Sequence, residues 1–398
     1  MAANPIMANF PGLQLAVHEM IEAVGGYWSP AAGVLRLMEE LGELAEQISV
    51  RNDEVSPELV EEIADIWIIT TCTANQFLIN LSSPHQTGEA PIKLTREADS
   101  YLRTLMIDAG IIARLVNYYD GPKAPKELVG WTSLGETIRR FQGTLTVLAR
   151  SLDADLESAV LEKTRRSITR DAGRFPIRND PSMASSVIQF SPTVLNSPCT
   201  FAPQARIWGA PDWSEGLSPY QHVTGFKSDF LTFAKCAEHE GLDGFVVAHS
   251  PTARPSSVNE LGRWFARLTK ALLAFDPKPD PNILTSPDTR GWQFQFGGVR
   301  MFVSVFSDIY PTGHPRRTKV GSFAFFQPET SFSDRNIGSK FEASENIKDS
   351  IRRRFRRRGF EYPAELIDRR IEAHIYVLPM RPDEPPVQWW TFPDEPLD

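Results

Sequence analysis

The chain has 398 residues, 41% hydrophobic and 23% charged, with a net charge of -8. That length allows two or three domains, and the acidic balance excludes a chain that holds nucleic acid by bulk positive charge. Three widely spaced cysteines, Cys72, Cys199 and Cys236, exclude a zinc ribbon or disulfide framework and suit a reducing cytosol. The opening stretch MAANPIMANFPG has neither the basic nor the apolar region of a signal peptide, so a cytoplasmic protein is expected.

Along the first half, apolar residues recur at i, i+3, i+4 and i+7 through residues 10–24, 30–50, 56–82, 95–118 and 132–170, which predicts helices. Breakers separate them: Gly25-Gly26, SSPH at 82–85 and DGPKAP at 120–125. Ser56 reads as a helix cap with Pro57 at the first helical position. The most apolar run, IADIWIITTCTANQFLINL, carries Asp65 near its start and several polar residues, so it reads as a buried helix and not a membrane span. Near residue 175 the character changes. RFPIRNDPSMASS reads as a linker, which divides the chain into 1–176, a linker at 177–190, and 191–398. Beyond it the short runs GFVVAHS, WQFQFGG, RMFVSVFS, SFAFFQP and AHIYVLP alternate with proline and glycine, with helical stretches near 258–275 and 344–358. The expected fold class is multi-domain: an N-terminal all-α helical bundle and a C-terminal α+β domain with an antiparallel sheet.

The first half also repeats itself. LMEELGELAEQI at 37–48 aligns with LMIDAGIIARLV at 105–116, and the segment 59–81 aligns with 134–156. Two helical hairpins, residues ~30–82 and ~98–157, would then form a pseudo-symmetric bundle. In the first repeat, Glu40 and Glu43 are three apart on one helix, and Glu62 and Asp65 are three apart on the next. Residues at that spacing share a helix face, so a hairpin can bring four carboxylates together. They form either a solvated edge or a cation site, because clustered acids hold each other protonated unless a cation intervenes. Two linked pairs favour the cation, and hard oxygen ligands favour Mg²⁺ with phosphate.

The pattern of Glu39, Glu40 and Glu43 followed by Glu62 and Asp65, set in LMEELGELAEQI and LVEEIADIW, resembles the MazG-like all-α nucleoside triphosphate pyrophosphohydrolases. DLESAVLEK at 155–163 resembles that family's closing helix, so the likeness covers about residues 10–176. The resemblance implies Mg²⁺-dependent cleavage of a nucleoside triphosphate to monophosphate and pyrophosphate. By it, Glu40, Glu43, Glu62 and Asp65 hold the metal, and Glu39 orients a ligand or the attacking water. Lys163 and Arg170 meet phosphate. Asn80 stands where the family has an acid, and Asp155 holds the matching place in the second repeat. Trp28 and Trp67 are candidates to stack on a base. The second repeat retains only Asp108. Ile107 and Ile111 replace Glu39 and Glu43, and Thr137 and Arg140 replace Glu62 and Asp65, so a structural partner is expected there. The family commonly builds its bundle from two subunits. An internal repeat could supply the same bundle within one chain, so a homodimer stays open.

In the second half, WQFQF, FVSVFSDIYPTGHPRR, FAFFQPETSF and IRRRFRRRGFEY resemble the YqcI/YcgG family. Some of its members are haem-dependent oxygenases that hydroxylate nitrogen in amines or guanidino groups, so the resemblance implies a haem site and such a substrate. A haem needs an axial His, Cys, Tyr or Met. His314 lies in a loop after a strand, with Arg316 and Arg317 placed to pair with propionates. Cys199 is a candidate thiolate or a small buried residue, and His249 is a third candidate. RRRFRRR at 352–358 spreads its arginines around a helix with Phe355 inward, which favours phosphate or acidic neighbours over a nucleic-acid duplex. Three functional readings follow: a pyrophosphohydrolase with a ligand-binding C-terminal domain; an N-oxygenase whose helical domain serves assembly; and a nucleotide-sensing regulator with little turnover.

Overall fold

The computed structural model describes residues 4, 6–49, 56–82, 94–124, 127, 130–172, 180–280, 287–333, 344–360 and 371–392. The chain separates into two compact units, Met7–Ser182 and a second made of Met1–Ile6 with Met183–Asp398.

The first unit is helical: α1 (Gly12–Val24), α2 (Pro30–Ser49), α3 (Pro57–Gln76), α4 (Leu94–Tyr119), α5 (Leu134–Ser151) and α6 (Leu156–Arg170). Helices α2 and α3 form one hairpin and α4 and α5 another. α2 lies on α4, α3 lies on α5, and α1 and α6 pack together against α3. The buried stripes are those expected of 3.6-residue periodicity, such as Leu37, Leu41 and Leu44 on α2 and Ile138, Phe141 and Leu145 on α5. The Ser56 hydroxyl accepts from Leu59 N at 3.3 Å, with Pro57 at the first position of α3. Among the described residues no helix is long and apolar enough to cross a membrane.

Two helix ends differ from the sequence expectation. The stretch 132–170 breaks at Leu152–Asp155, where Asp153 takes a φ of 53° and Asp155 caps α6 by accepting from Ser158 N at 3.1 Å. Helix α3 stops at Gln76 and does not reach 82. The buried Gln14 side chain supplies the reason. Its amide donates to Ile79 O at 2.7 Å, and its carbonyl accepts from Leu81 N at 3.0 Å. These bonds satisfy backbone groups that would otherwise demand another helical turn.

The second unit holds β1 (Ile207–Gly209), β2 (Gly244–Ala248), β3 (Phe294–Phe296), β4 (Val299–Ser307) and β5 (Ser322–Pro328), in the order β1-β2-β5-β4-β3. Its helices are α7 (Ser185–Leu195), α8 (Pro219–Glu240), α9 (Val258–Leu273), α10 (Glu329–Ser333), α11 (Ser344–Arg357) and α12 (Ala373–Tyr376). The sheet is mixed, not antiparallel throughout, because β1 pairs parallel with β2. The chain between them is α8, a crossover of the length that parallel neighbours require. AHIYVLP, expected as a strand, begins with the helical turn α12. Its Tyr376 is buried, accepting from Phe294 N at 3.1 Å and donating to Met301 O at 3.2 Å. The proposed linker also differs. Residues 173–179 lie outside the described residues, and from Ser185 the chain is helix α7, with Val187 and Phe190 in the core.

Alternation along the strands gives the sheet two apolar faces. On one, Phe245 and Phe326 pack against Phe230 of α8, with ring centroids 5.1 and 5.2 Å away. On the other, Val246, Phe323 and Phe325 pack against Val187 and Phe190 of α7. Two glycines permit this second layer. A Cβ on Gly209 would fall 2.3 Å from Ser186 Oγ of α7, and a Cβ on Gly244 would fall 2.2 Å from the Phe325 ring.

Candidate functional site

The helix phase of α2 that buries Leu37 and Leu41 also turns Glu40 inward, where it is fully buried. From the facing helix α3 come Glu62 and Asp65, and one carboxylate oxygen from each of the three lies within 4.8 Å of the others. Burial, then the charge of Asp65, pushes the Glu40 carboxyl up to about 8. Burial also raises Glu62 and Asp65. Among the described residues, no donor from elsewhere reaches the buried Glu40 Oε2 and Glu62 Oε2, and the two carboxyls bond each other only when one holds a proton. A site with these features lacks positive charge. Without a cation, a proton kept on Glu40 relieves the repulsion.

The cations already present do not fill that deficit. Arg36 pairs with Glu39 at 2.5 Å and with Glu40 Oε1. Lys163, on α6, donates to Asp65 Oδ2 at 2.5 Å and lies 3.5 Å from Glu61 Oε2. Beside the acids opens a cavity of 370 Å³ that includes Glu39, Glu40, Asp65 and Arg170 in its lining. Its apolar wall is built from Met20, Trp28 and Ile69.

The expected residues therefore divide. Glu40, Glu62 and Asp65 converge. Glu39, Trp28 and Arg170 share the cavity, with Arg170 held 2.8 Å from Asp171. Lys163 touches the cluster through Asp65. Glu43 is exposed and stands outside the 4.8 Å group, although its charge still raises Glu40 and Glu62. Asn80 and Asp155 lie apart from the cavity lining. Asn80 bonds Asn9 O at 3.3 Å and Ser82 N at 2.7 Å, and Asp155 is occupied as the α6 cap. Trp67 is buried core. Two participants were not anticipated. Arg36 precedes Glu39 and Glu40 by three and four residues, a spacing visible in RLMEE. Gln76 donates to Trp28 O and to buried Asp180 Oδ2, both at 2.8 Å, and so fixes the floor beneath Trp28. That contact joins residues far apart in sequence and has no local signal.

In the second hairpin, Asp108 is buried and Arg140 grips it with two nitrogens. Nε lies 3.1 Å from both carboxylate oxygens and Nη2 lies 2.6 Å from Oδ1.

The second unit carries its own cavities. One, of 510 Å³, is walled by Phe190, Phe302, Phe306 and Phe355, and both Cys199 and Arg316 line it. The Arg316 guanidinium lies over Phe306, 4.9 Å from the ring centroid. His314, a candidate haem ligand or a turn residue by its sequence, is 6% exposed and held by its neighbours. Its ring stacks on Tyr310 at 3.9 Å, Nδ1 accepts from Arg316 N at 3.1 Å, and Nε2 lies 3.1 Å from Pro379 O. Both ring nitrogens are thus engaged with the backbone in this structure. His249 lines a different cavity, of 750 Å³. In the arginine run, Phe355 points inward as expected, and Arg358 donates to Asn196 O at 3.1 Å.

Residues 192–372 match the YqcI/YcgG family. Among curated proteins, the chain is similar to the uncharacterized protein YpjD of Bacillus subtilis (strain 168). The two are 35% identical over 85 residues, 20% of this chain and 76% of that protein. No solved structure gives a significant match.

Proposed function

We propose that the helical unit of this chain, a relative of YpjD that carries a YqcI/YcgG family domain over residues 192–372, is a Mg²⁺-dependent nucleoside triphosphate pyrophosphohydrolase. The observation that carries this reading is the convergence of three carboxylates, one of them fully buried, with two buried oxygens that no donor from elsewhere among the described residues reaches. A buried charge deficit of this kind is costly to a fold that gains nothing from it. Glu40, Glu62 and Asp65 would hold the metal, and exposed Glu43 would reach it from the open side. Bound Mg²⁺ supplies charge neutralisation of the triphosphate and activation of water. Lys163 opposes the burial that raises Asp65, and so favours its ionised form. Arg170 adds positive charge within the cavity, and Trp28 with Met20 and Ile69 offers the apolar wall a base needs. The second hairpin is read as a repeat that kept the scaffold and lost the metal.

With Mg²⁺, the purified protein should release pyrophosphate from at least one member of a panel of ribo- and deoxyribonucleoside triphosphates, and EDTA should stop it. Tight binding of a Mg²⁺–triphosphate complex with no pyrophosphate would overturn the enzyme and favour the sensing reading.

A second reading rests on the phenylalanine-walled cavity. A single thiol, a buried guanidinium and an apolar enclosure fit a flat, carboxylate-bearing cofactor such as haem. Cys199 would be the ligand, Arg316 and Arg317 would meet the carboxylates, and the phenylalanines would exclude water. When bound, haem supplies oxygen activation for N-hydroxylation of an amine or guanidino compound. Haem added to the protein should show a Soret band displaced from that of free haem, and Cys199→Ala should change that displacement. A band that stays at the free-haem position at any haem ratio rules the reading out.

A further inference from the structure

The 750 Å³ cavity lies past the C-terminal end of β2, where the first turns of α8 and α9 approach it. Its size is within the range of small-molecule sites. One wall is aromatic. Trp213 is backed by the buried His222 ring at 4.4 Å and donates its Nε1–H to Leu217 O at 2.9 Å, which fixes its plane. Trp264, on α9, is 5% exposed and lines the same cavity.

Between the two indoles lies His249, with ring centroids 6.0 Å from Trp213 and 4.8 Å from Trp264. Its Nδ1 is 2.9 Å from Ser250 O. A carbonyl only accepts, so Nδ1 carries the hydrogen and Nε2 carries the lone pair. Burial lowers the pKa of this ring and so favours its neutral form. His249, which lines this cavity, therefore keeps a lone pair on Nε2 for a hydrogen-bond donor. The cavity rim is cationic. Arg263 and Arg267 stand one turn apart on α9, and the α8 and α9 N-termini add partial positive charge. The rim acid, Glu260, already accepts from Ser256 N and Oγ at 2.7 and 2.9 Å.

We propose that this cavity binds a nucleoside phosphate. The base lies against Trp213 and Trp264, a base N–H meets His249 Nε2, and the phosphate lies at Arg263 and Arg267. A flat heteroaromatic ring, an N–H donor and a multivalent anion in one small molecule match the three features together. The proposal is independent of the chemistry assigned to the helical unit.

The test is calorimetric titration of the full chain in EDTA, which keeps the acidic cluster free of metal. The probes are AMP, GMP, CMP and UMP, with adenosine and inorganic phosphate as separate arms. At least one monophosphate should bind, tenfold or more tightly than either adenosine or phosphate alone. Binding should fall tenfold or more in Arg263→Ala/Arg267→Ala, a variant whose unfolding temperature should match the wild type, and should persist in Glu40→Gln. Phosphate binding as tightly as the best monophosphate would reduce the site to a simple anion site and overturn the proposal. So would the absence of monophosphate binding, or binding indifferent to the arginines but lost in Glu40→Gln.

Discussion

Glu40→Gln should reduce Mg²⁺-dependent pyrophosphate release by 100-fold or more while making the metal-free protein less sensitive to pH. The first effect follows from removing the fully buried ligand of the cluster, since an amide cannot supply the negative charge a hard cation needs. The second follows from linkage. In the folded chain Glu40 titrates at about 8, against an ordinary value of 4.5. The folded state therefore holds its proton more tightly. Its stabilising contribution is complete below about pH 4.5 and is lost as pH rises towards 8. The metal-free wild type should therefore be less stable at pH 8 than at pH 5.5, by on the order of a few kcal/mol, and unfold at a lower temperature there. Mg²⁺ should reverse this, raising the unfolding temperature more at pH 8 because it binds the ionised carboxylates. In Glu40→Gln both dependences should shrink. Unfolding temperatures in EDTA and in Mg²⁺ at the two pH values decide the matter. An unchanged pH profile in the variant would remove Glu40 from the centre of the site.

Arg140→Ala should be among the more destabilising single changes in the helical unit, at about 2 kcal/mol. Asp108 is 3% exposed at its side chain, and Arg140 is 42% exposed, so solvent screening trims the loss below that of a fully buried pair. What remains is a buried carboxylate with its two-nitrogen partner removed. Asp108→Asn with Arg140→Gln should recover much of the loss, because neither remaining group then carries a charge. Urea unfolding midpoints of the single and double variants measure this. A single-variant effect within about 0.5 kcal/mol would show the pair to be surface decoration. In the repeat alignment, Asp108 falls at the Glu40 position and Arg140 at the Asp65 position. Where the first hairpin gathers three acids around fewer cations, the second matches its one acid with one guanidinium.

The helical half was legible because its cores are continuous stripes, and any helix with Leu37, Leu41 and Leu44 on one side must turn the same face inward. The acid pairs were legible for the same reason, since their spacing is the stripe's own spacing. Glu43 fell outside the cluster because one further turn of α2 carries it into solvent. The end of α3 was not legible, as it depends on Gln14, 65 residues before the carbonyl it binds. Helix α8 escaped notice because its apolar contacts are phenylalanines set among charged and polar residues, as in GFKSDFLTF. The strand pattern in AHIYVLP failed because four residues cannot separate a period of two from a helical turn. His314 looked available in a loop, but a loop position does not reveal whether the two ring nitrogens already have partners.

Gly244 has a consequence for capacity as well as packing. The Phe325 ring that lies over it is also part of the lining of the 510 Å³ cavity. The ring can approach that closely because the neighbouring strand has no side chain at that point. Any larger residue at 244 must push Phe325 away, with the cavity as the adjoining empty space. The volume open to a ligand is thus set partly by a missing methyl group in the middle of the sheet. A change that looks like a strand substitution would act as a change in what the pocket can hold.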